Sequence, residues 1–137
     1  MSTDPTQPKT GSAHGIGLRG ERVAAAVARA RGWQVQGMRL RTPVGEADIF
    51  ATRRCPADRL PGRSEAPQAI GVVIEVKTAL GRWPSTDLVH RRRQARLWRV
   101  AAHLGEQAGL AELEVVVALV RLERNHEAVR WIPLDAW

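Results

Sequence analysis

Lysine is nearly absent from this sequence, which carries its positive charge almost entirely on arginine. Of its 21 Lys and Arg residues, only Lys9 and Lys77 are lysines, and Lys9 lies in a Pro- and Thr-rich N-terminal stretch. Arginine is a planar fork with a fixed charge, whereas lysine is a compact point charge whose pKa shifts when it is desolvated. Lys77 is therefore either a lysine selected for a site that needs a point charge or a surface residue retained by chance.

Cysteine and long apolar runs are also scarce, and each absence excludes a class of protein. The one cysteine, Cys55, rules out an intramolecular disulfide and a Cys-based zinc cluster, and it is typical of a reducing compartment. No apolar run approaches the roughly 20 residues that span a bilayer, and the N-terminus lacks the apolar core of a signal peptide. The sequence predicts a cytoplasmic protein with no membrane partner.

The composition that remains is that of a basic globular domain. The 137 residues are 44% hydrophobic and 26% charged, which suits one domain with a proper core. The net charge of +7 and the pI of about 11.3 predict a polyanionic partner, nucleic acid before membrane. The alternative is a general enrichment in arginine that leaves a solvated basic surface.

Periodicity and turn residues predict a leader followed by a single α/β domain. Residues 1–15 are expected to be a disordered leader, residues 16–137 the domain, and residues 53–69 a mobile loop with three prolines. The predicted order is α-β-β-β-α-β-β, with a mixed sheet flanked by helices. The elements are Leu18–Arg31 (helix), Trp33–Arg41, Glu46–Thr52 and Gly71–Thr78 (strands), a helix capped by Ser85 or Thr86 and running to about Gly109, and the strands Glu114–Leu122 and Ala128–Ile132.

The third predicted strand carries an acid and the domain's lysine on one face. Successive strand residues point to opposite faces, so Glu75 and Lys77 are neighbours while Val72, Ile74 and Val76 face the other way. A charge on a core strand is costly unless it is paired or bound to metal. The alternative is an exposed ion pair at a strand end, which contributes little.

The second predicted strand supplies further acids. Glu46 and Asp48 share a face, and pairing with the third strand brings Asp48 beside Glu75. Adjacent carboxylates repel unless a hard cation lies between them, and Mg²⁺ prefers such oxygen ligands. The alternative for Glu46 and Asp48 is a solvated turn edge.

Each predicted helix adds one feature. Glu21 lies on the apolar stripe of the first helix, where it either favours the helix start or reaches into a site. The second helix presents a row of arginines, and Gln94 lies on its buried stripe one turn before Leu97. The row is either an exposed basic face or a surface that contacts phosphates. Its members are Arg91, Arg92, Arg93, Arg96 and Arg99.

The ordered set resembles the PD-(D/E)XK nuclease superfamily, in which an acid in a first helix precedes an Asp and a Glu-x-Lys on two strands. The wider sequence is similar to one branch, the YraN-like predicted endonucleases, which are related to archaeal Holliday junction resolvases. The resemblance runs from about Gly17 to Trp137. The matching stretches are Gly17-Leu18-Arg19-Gly20-Glu21, Arg39 before Gly45-Glu46-Ala47-Asp48-Ile49, Val73-Ile74-Glu75-Val76-Lys77-Thr78, Arg93-Gln94-Ala95-Arg96-Leu97 and Leu134-Asp135-Ala136-Trp137.

The resemblance implies a restriction-endonuclease-like fold and a role for each site residue. Asp48 and Glu75 would bind Mg²⁺ or Mn²⁺, and Lys77 would position or activate the attacking water. Glu21 would complete or orient the metal site, and Gln94 would support it. The related resolvases are dimers, which suggests a homodimer.

Three functions stay open at this point. The first is a metal-dependent endonuclease acting on DNA rather than RNA, with branched or flapped DNA as the expected substrate. Arg91, Arg92, Arg93 and Arg96 would then bind flanking phosphates. The second is a non-catalytic nucleic-acid-binding module on the same fold. The third is a structural or partner-binding protein whose charge is incidental, and it predicts neither nucleic-acid affinity nor stabilisation by metal.

Overall fold

A computed structural model describes residues 13–55, 68–85 and 91–135 of the chain. Within them the order of elements is the predicted α-β-β-β-α-β-β. The elements are α1 (Ala13–Ala30), β1 (Gln34–Thr42), β2 (Gly45–Cys55), β3 (Gln68–Leu80), α2 (Arg91–Ala108), β4 (Glu112–Leu122) and β5 (Glu127–Leu134).

The five strands form one mixed sheet whose spatial order, β1-β2-β3-β4-β5, follows the chain. The β3–β4 pair is parallel, and the other pairs are antiparallel. A parallel pair needs a crossover connection, which here contains α2. The chain is thus a single-domain α/β protein, as predicted.

Each helix packs its apolar stripe on one side of this sheet. The α1-side core joins Ala24 and Ala25 to alternate strand residues, among them Ile49, Val72, Ile74, Val116 and Ala118. The α2-side core joins Leu97, Val100, Ala101 and Leu104 to Ala47, Phe50, Val73 and Val115. Six successive residues of β4, 115–120, are buried, so this strand is covered on both faces as its unbroken apolar run predicts.

Two boundaries differ from the prediction. Helix α1 begins at Ala13, so residues 13–15 of the expected leader are helical, whereas residues 1–12 lie outside the described part of the chain. β2 continues to Cys55 and β3 starts at Gln68, which places both ends of the expected loop in the sheet. Arg53 pairs with Ile70 in the ladder and forms an ion pair with Glu114, so polar residues extend these strands. Residues 56–67 lie outside the described residues.

The last strand also differs from its predicted bounds, whereas the expected start of the last helix falls outside the described residues. Helix α2 spans Arg91–Ala108, and residues 86–90, between it and the expected cap position Ser85, are not described. Strand β5 passes through Pro133, where the sequence indicated an end. Proline cannot donate to a ladder, but β5 is an edge strand, and edge strands tolerate it.

Candidate active site

The β1–β2 hairpin turns over shortly before its tip. Met38 and Ile49 lie opposite each other and pack on the α1-side core. Leu40 and Ala47 also lie opposite each other, yet they pack on the α2-side core. Residues two apart on a regular strand share a face, so both strands rotate about their axes between these two pairs. The residues between them, Arg39 and Asp48, lie where the rotation takes place.

Gly45 holds the hairpin tip against α2. Its φ is +147°, and a Cβ built there would come 3.0 Å from Val100 Cγ2 and 3.2 Å from Arg96 Cγ. Glycine reaches positive φ without steric cost and leaves room for the helix. The turn and the acids that follow it are therefore fixed beside α2.

Asp48 lies where β2 and β3 separate. The ladder pairs between the two strands run from Cys55 opposite Gln68 to Ile49 opposite Ile74. Beyond that pair a side chain replaces the backbone pairing between the strands. The Oδ2 atom of Asp48 accepts a hydrogen bond of 2.8 Å from the Val76 N–H. The carboxylate is thereby half-buried in the gap between the strands.

Glu75 lies on the α2 side of the sheet, next to the Val73 position of the core. Only 4% of it is exposed, and it is the one charged residue that is buried among those the structure describes. Its Oε1 is 2.5 Å from Arg93 Nη2 and 3.3 Å from Lys77 Nζ. The predicted neighbours Glu75 and Lys77 therefore form a buried ion pair, and α2 supplies a second cation. Such pairing offsets the cost of burying the carboxylate.

Glu21 approaches the same stretch of β3 from α1. Because the helix starts at Ala13, Glu21 lies in its third turn, so the alternative of a helix-start acid is wrong. Gly20 allows α1 to approach β3 closely, since a Cβ there would lie 1.8 Å from Thr78 Oγ1. Glu21 and Lys77 line a cavity of about 410 Å³. The Glu21 Oε2 is buried and has no hydrogen-bond partner.

Burial and repulsion by neighbouring acids raise the pKa values of Asp48 and Glu21. The pKa of Asp48 is raised from 3.8 to about 7, first by burial and then by the negative charge of Glu75. The hydrogen bond from Val76 lowers that pKa, and the charge of Glu21 raises it. Burial also raises the pKa of Glu21, against the opposing charge of Arg39. A cation bound between such acids would lower their pKa values and let them ionise together, so this arrangement favours cation binding.

The donor set fits a hard divalent cation bound by few protein ligands. Among residues 13–55, 68–85 and 91–135, no three His, Cys, Asp or Glu side chains form a ligand cluster. Mg²⁺ commonly takes one or two carboxylates and completes its shell with water and substrate phosphate. Asp48 and Glu75 supply such a pair, and Glu21, whose Oε2 lacks a hydrogen-bond partner, is close enough for its charge to raise the pKa of Asp48.

The arginines of α2 border this group on the other side. Arg92, Arg93 and Arg96 line a cleft of about 600 Å³ together with Glu46 and Glu75. The remaining predicted residues lie in the first turn of α2, where Arg91 is exposed and Gln94 is half-buried. The predicted acids, Lys77 and three arginines of the predicted row thus lie around the same stretch of β3.

Two features of the site were not evident from the sequence. Arg93 was predicted only as a phosphate contact, whereas it pairs with Glu75. Arg39 was noted only within a matching stretch, whereas its Nε lies 4.0 Å from Glu21 Oε2. Arg39 is also the one non-glycine residue of the described chain with a positive φ, 53°. No residue spacing in the sequence predicts either contact, because each contact joins residues on two different secondary-structure elements.

Neither helix of the described residues is long and apolar enough to cross a membrane.

Comparison with known proteins identifies the family. Residues 20–123 match the model described as "Uncharacterised protein family UPF0102". A UPF0102 protein of Parvibaculum lavamentivorans is 35% identical over 132 residues, which cover 92% of this chain and 89% of the relative. A UPF0102 protein of Caulobacter vibrioides is 33% identical over 138 residues, with 100% and 98% covered. The chain therefore belongs to the UPF0102 family, the YraN-like group expected from its sequence.

Proposed function

We propose that the protein is a metal-dependent endonuclease that hydrolyses DNA, with a restriction-endonuclease-like fold and branched or flapped DNA as its substrate. The observation that carries this proposal is the meeting of Asp48 and Glu75 where two strands part, beside Lys77, the one lysine of the described residues. The five-stranded mixed sheet with a helix on each side is consistent with that fold.

Asp48 and Glu75 would hold Mg²⁺ or Mn²⁺, with Glu21 completing or orienting the site. When bound, the ion would polarise the scissile phosphate and lower the pKa of a coordinated water. Asp48 must be ionised to serve as a ligand, and its pKa near 7 means that a cation has to displace a proton at neutral pH.

Lys77 would place the attacking water and neutralise charge in the transition state. In hydrolysis the water oxygen forms a bond to phosphorus while the bond from phosphorus to the leaving oxygen breaks. Lys77 Nζ is held 3.3 Å from Glu75 Oε1, so its position is fixed relative to a metal-binding carboxylate. A fixed ammonium in a partly desolvated site can stabilise negative charge as it develops.

Arg91, Arg92, Arg93 and Arg96 would bind the flanking phosphates. All four lie in the first two turns of α2, and Arg92, Arg93 and Arg96 border the cleft that contains Glu75. Neutralising phosphates releases counterions, so the logarithm of affinity falls by about 0.9 per phosphate against the logarithm of salt on duplex DNA.

A cleavage assay tests the proposal. Labelled linear, flapped and four-way-junction DNA are incubated with the wild type in Mg²⁺, Mn²⁺ or EDTA, and then with Lys77→Ala and Asp48→Asn. Cleavage should require the metal and fall by at least about 100-fold in both variants, while DNA binding by Lys77→Ala persists. Metal-independent cleavage, or equal cleavage by the variants, would contradict the proposal.

One observation favours a second function, a non-catalytic nucleic-acid-binding module. Arg93 and Lys77 already compensate the buried charge of Glu75, so that carboxylate needs no metal to be tolerated. This alternative predicts tight, salt-dependent DNA binding without cleavage in either cation.

A further inference from the structure

The backbone at Arg39 is in a conformation that arginine adopts at a cost. Its φ of 53° lies in the left-handed region, which strains a residue that carries a Cβ. The flanking pairs, Met38 with Ile49 and Leu40 with Ala47, place Arg39 opposite Asp48. The hairpin turns over there, which explains the left-handed φ but not the arginine, because glycine would make the same turn without strain.

The contacts of the side chain do not offset that cost either. The side chain is 55% exposed, so it adds little to the core. Its ion pair with Glu21 spans 4.0 Å, and an ion pair with one exposed partner contributes little to stability. A strained residue that benefits the fold so little points to a role outside the fold.

The Arg39 guanidinium lies where it could bind an anion next to the carboxylate site. A guanidinium has five N–H donors, and that of Arg39, on a side chain 55% exposed, approaches Glu21 through Nε at 4.0 Å. Arg39 thus lies beside Glu21 of the carboxylate group, and it does not line the cleft that the arginines of α2 border.

We propose that Arg39 contacts a phosphate of the nucleic acid beside the carboxylates, with Glu21 orienting its guanidinium. The proposal rests on the nucleic-acid function proposed above and adds a residue to it. A strand bound at the site would then be held from two directions, by Arg39 on the β1–β2 hairpin and by the α2 row. Bidentate binding of phosphate is the interaction for which the guanidinium fork is best shaped.

The experiment separates the backbone of Arg39 from its side chain. Arg39→Gly keeps the left-handed turn and removes the guanidinium. Arg41→Gly, on the same strand, removes an equal charge from an exposed pair with Glu46 at 3.3 Å, where no positive φ is present. Arg39→Lys retains the charge. Melting temperature is measured for each variant, and affinity for labelled branched DNA is measured in EDTA at several salt concentrations.

Arg39→Gly should melt above the wild type, whereas Arg41→Gly should not. Arg39→Gly should also bind DNA at least about threefold more weakly, with a salt slope smaller by about 0.9. Arg41→Gly should lose less affinity, because Arg41 lies 3.3 Å from its partner Glu46 at the exposed hairpin tip, whereas Arg39 lies 4.0 Å from Glu21 beside the carboxylate group. Because Arg39→Lys keeps the positive charge, its salt dependence of DNA binding should be close to that of the wild type.

Three results would overturn the inference. A lower melting temperature for Arg39→Gly would assign the side chain to the fold. An unchanged salt slope, with the wild type binding normally, would remove the phosphate contact and leave the proposed endonuclease intact. If the wild type itself shows no salt-dependent binding, the nucleic-acid function fails, and this proposal fails with it.

Discussion

The β2–β3 ladder divides the sheet into two regions that differ within a single residue step. Ile49 and Ile74 form the last pair, and both are fully buried. The next residues, Asp48 and Glu75, are acids in the same sheet, and one of them hydrogen-bonds to the backbone in place of a strand partner. The apolar side of this boundary stabilises the fold, whereas on the acidic side burial and the charge of Glu75 make ionisation of Asp48 costly. The apolar residues on one side of the boundary build the fold, whereas the acids on the other side form the candidate active site.

The largest effect is expected on the apolar side. Ile74→Ala should lower the free energy of unfolding by about 2–5 kcal/mol, because it opens a cavity in a tightly packed layer. Urea denaturation measures it. Val44→Ala is the control, since Val44 is 41% exposed at the hairpin tip and should change stability by less than about 0.5 kcal/mol. Equal losses in the two variants would mean that Ile74 is not part of a close-packed core.

The next largest loss of stability is expected when a cationic partner of Glu75 is removed. Arg93→Ala should cost about 1–3 kcal/mol, less than the loss of a fully buried partner, because Lys77 remains and Arg93 is 52% exposed. Arg92→Ala, one residue away in the same cleft, should cost little. Thermal melting compares the two variants, and no difference between them would show that Arg93 does not stabilise Glu75.

The hairpin tip tests how closely the acids are held against α2. Gly45→Ala combines an unfavourable φ with contacts to Val100 and Arg96, whereas Gly109→Ala, with φ of +71°, meets nothing within 4 Å. Both variants should be destabilised, and Gly45→Ala should be worse by about 1 kcal/mol. Chemical denaturation of the pair gives the difference, which would vanish if the tip were loosely packed.

The acidic side should respond to pH in the opposite sense from an ordinary carboxylate. The folded state raises the pKa of Asp48 from 3.8 to about 7, so it binds more protons than the unfolded chain between these values. Stability should therefore fall as pH rises from about 4 to about 7 and then level off.

Asp48→Asn removes this titration and keeps an oxygen that can accept from the Val76 N–H. Allowing for screening of a half-buried group, the variant should be about 1 kcal/mol more stable than the wild type at pH 8 without metal. The gain should disappear near pH 4. Melting curves at both pH values measure it, and a variant that is less stable at pH 8 would contradict a repelled Asp48.

The two regions also differ in how far the sequence predicts them. The unbroken apolar run of β4 is sufficient to place it in the interior, and alternation alone puts Glu75 beside Lys77. The approach of Asp48 to Glu75 follows once the two strands pair. These are local patterns, and each is set by the geometry of one strand or one pair.

The remaining features depend on tertiary contacts that no local pattern encodes. The pairing of Arg93 with Glu75 depends on how α2 crosses the sheet. The left-handed φ of Arg39 depends on the hairpin turning over between two cores. Helix α1 begins five residues before its predicted start at Leu18, because Gly15 and Gly17 give its first residues only a weak helix signal.

The central claim is that the acidic side of the boundary binds a divalent cation, and thermal melting at pH 7.5 with Mg²⁺ or Mn²⁺ tests it most directly. A cation bound only by the folded state raises the melting temperature. The wild type should shift upward, as should Glu123→Gln, whose side chain pairs with Arg121 and His126 away from the carboxylate group. Asp48→Asn should not shift. If all three proteins shift equally, or none shifts, Asp48 and Glu75 do not form a metal site in the free protein.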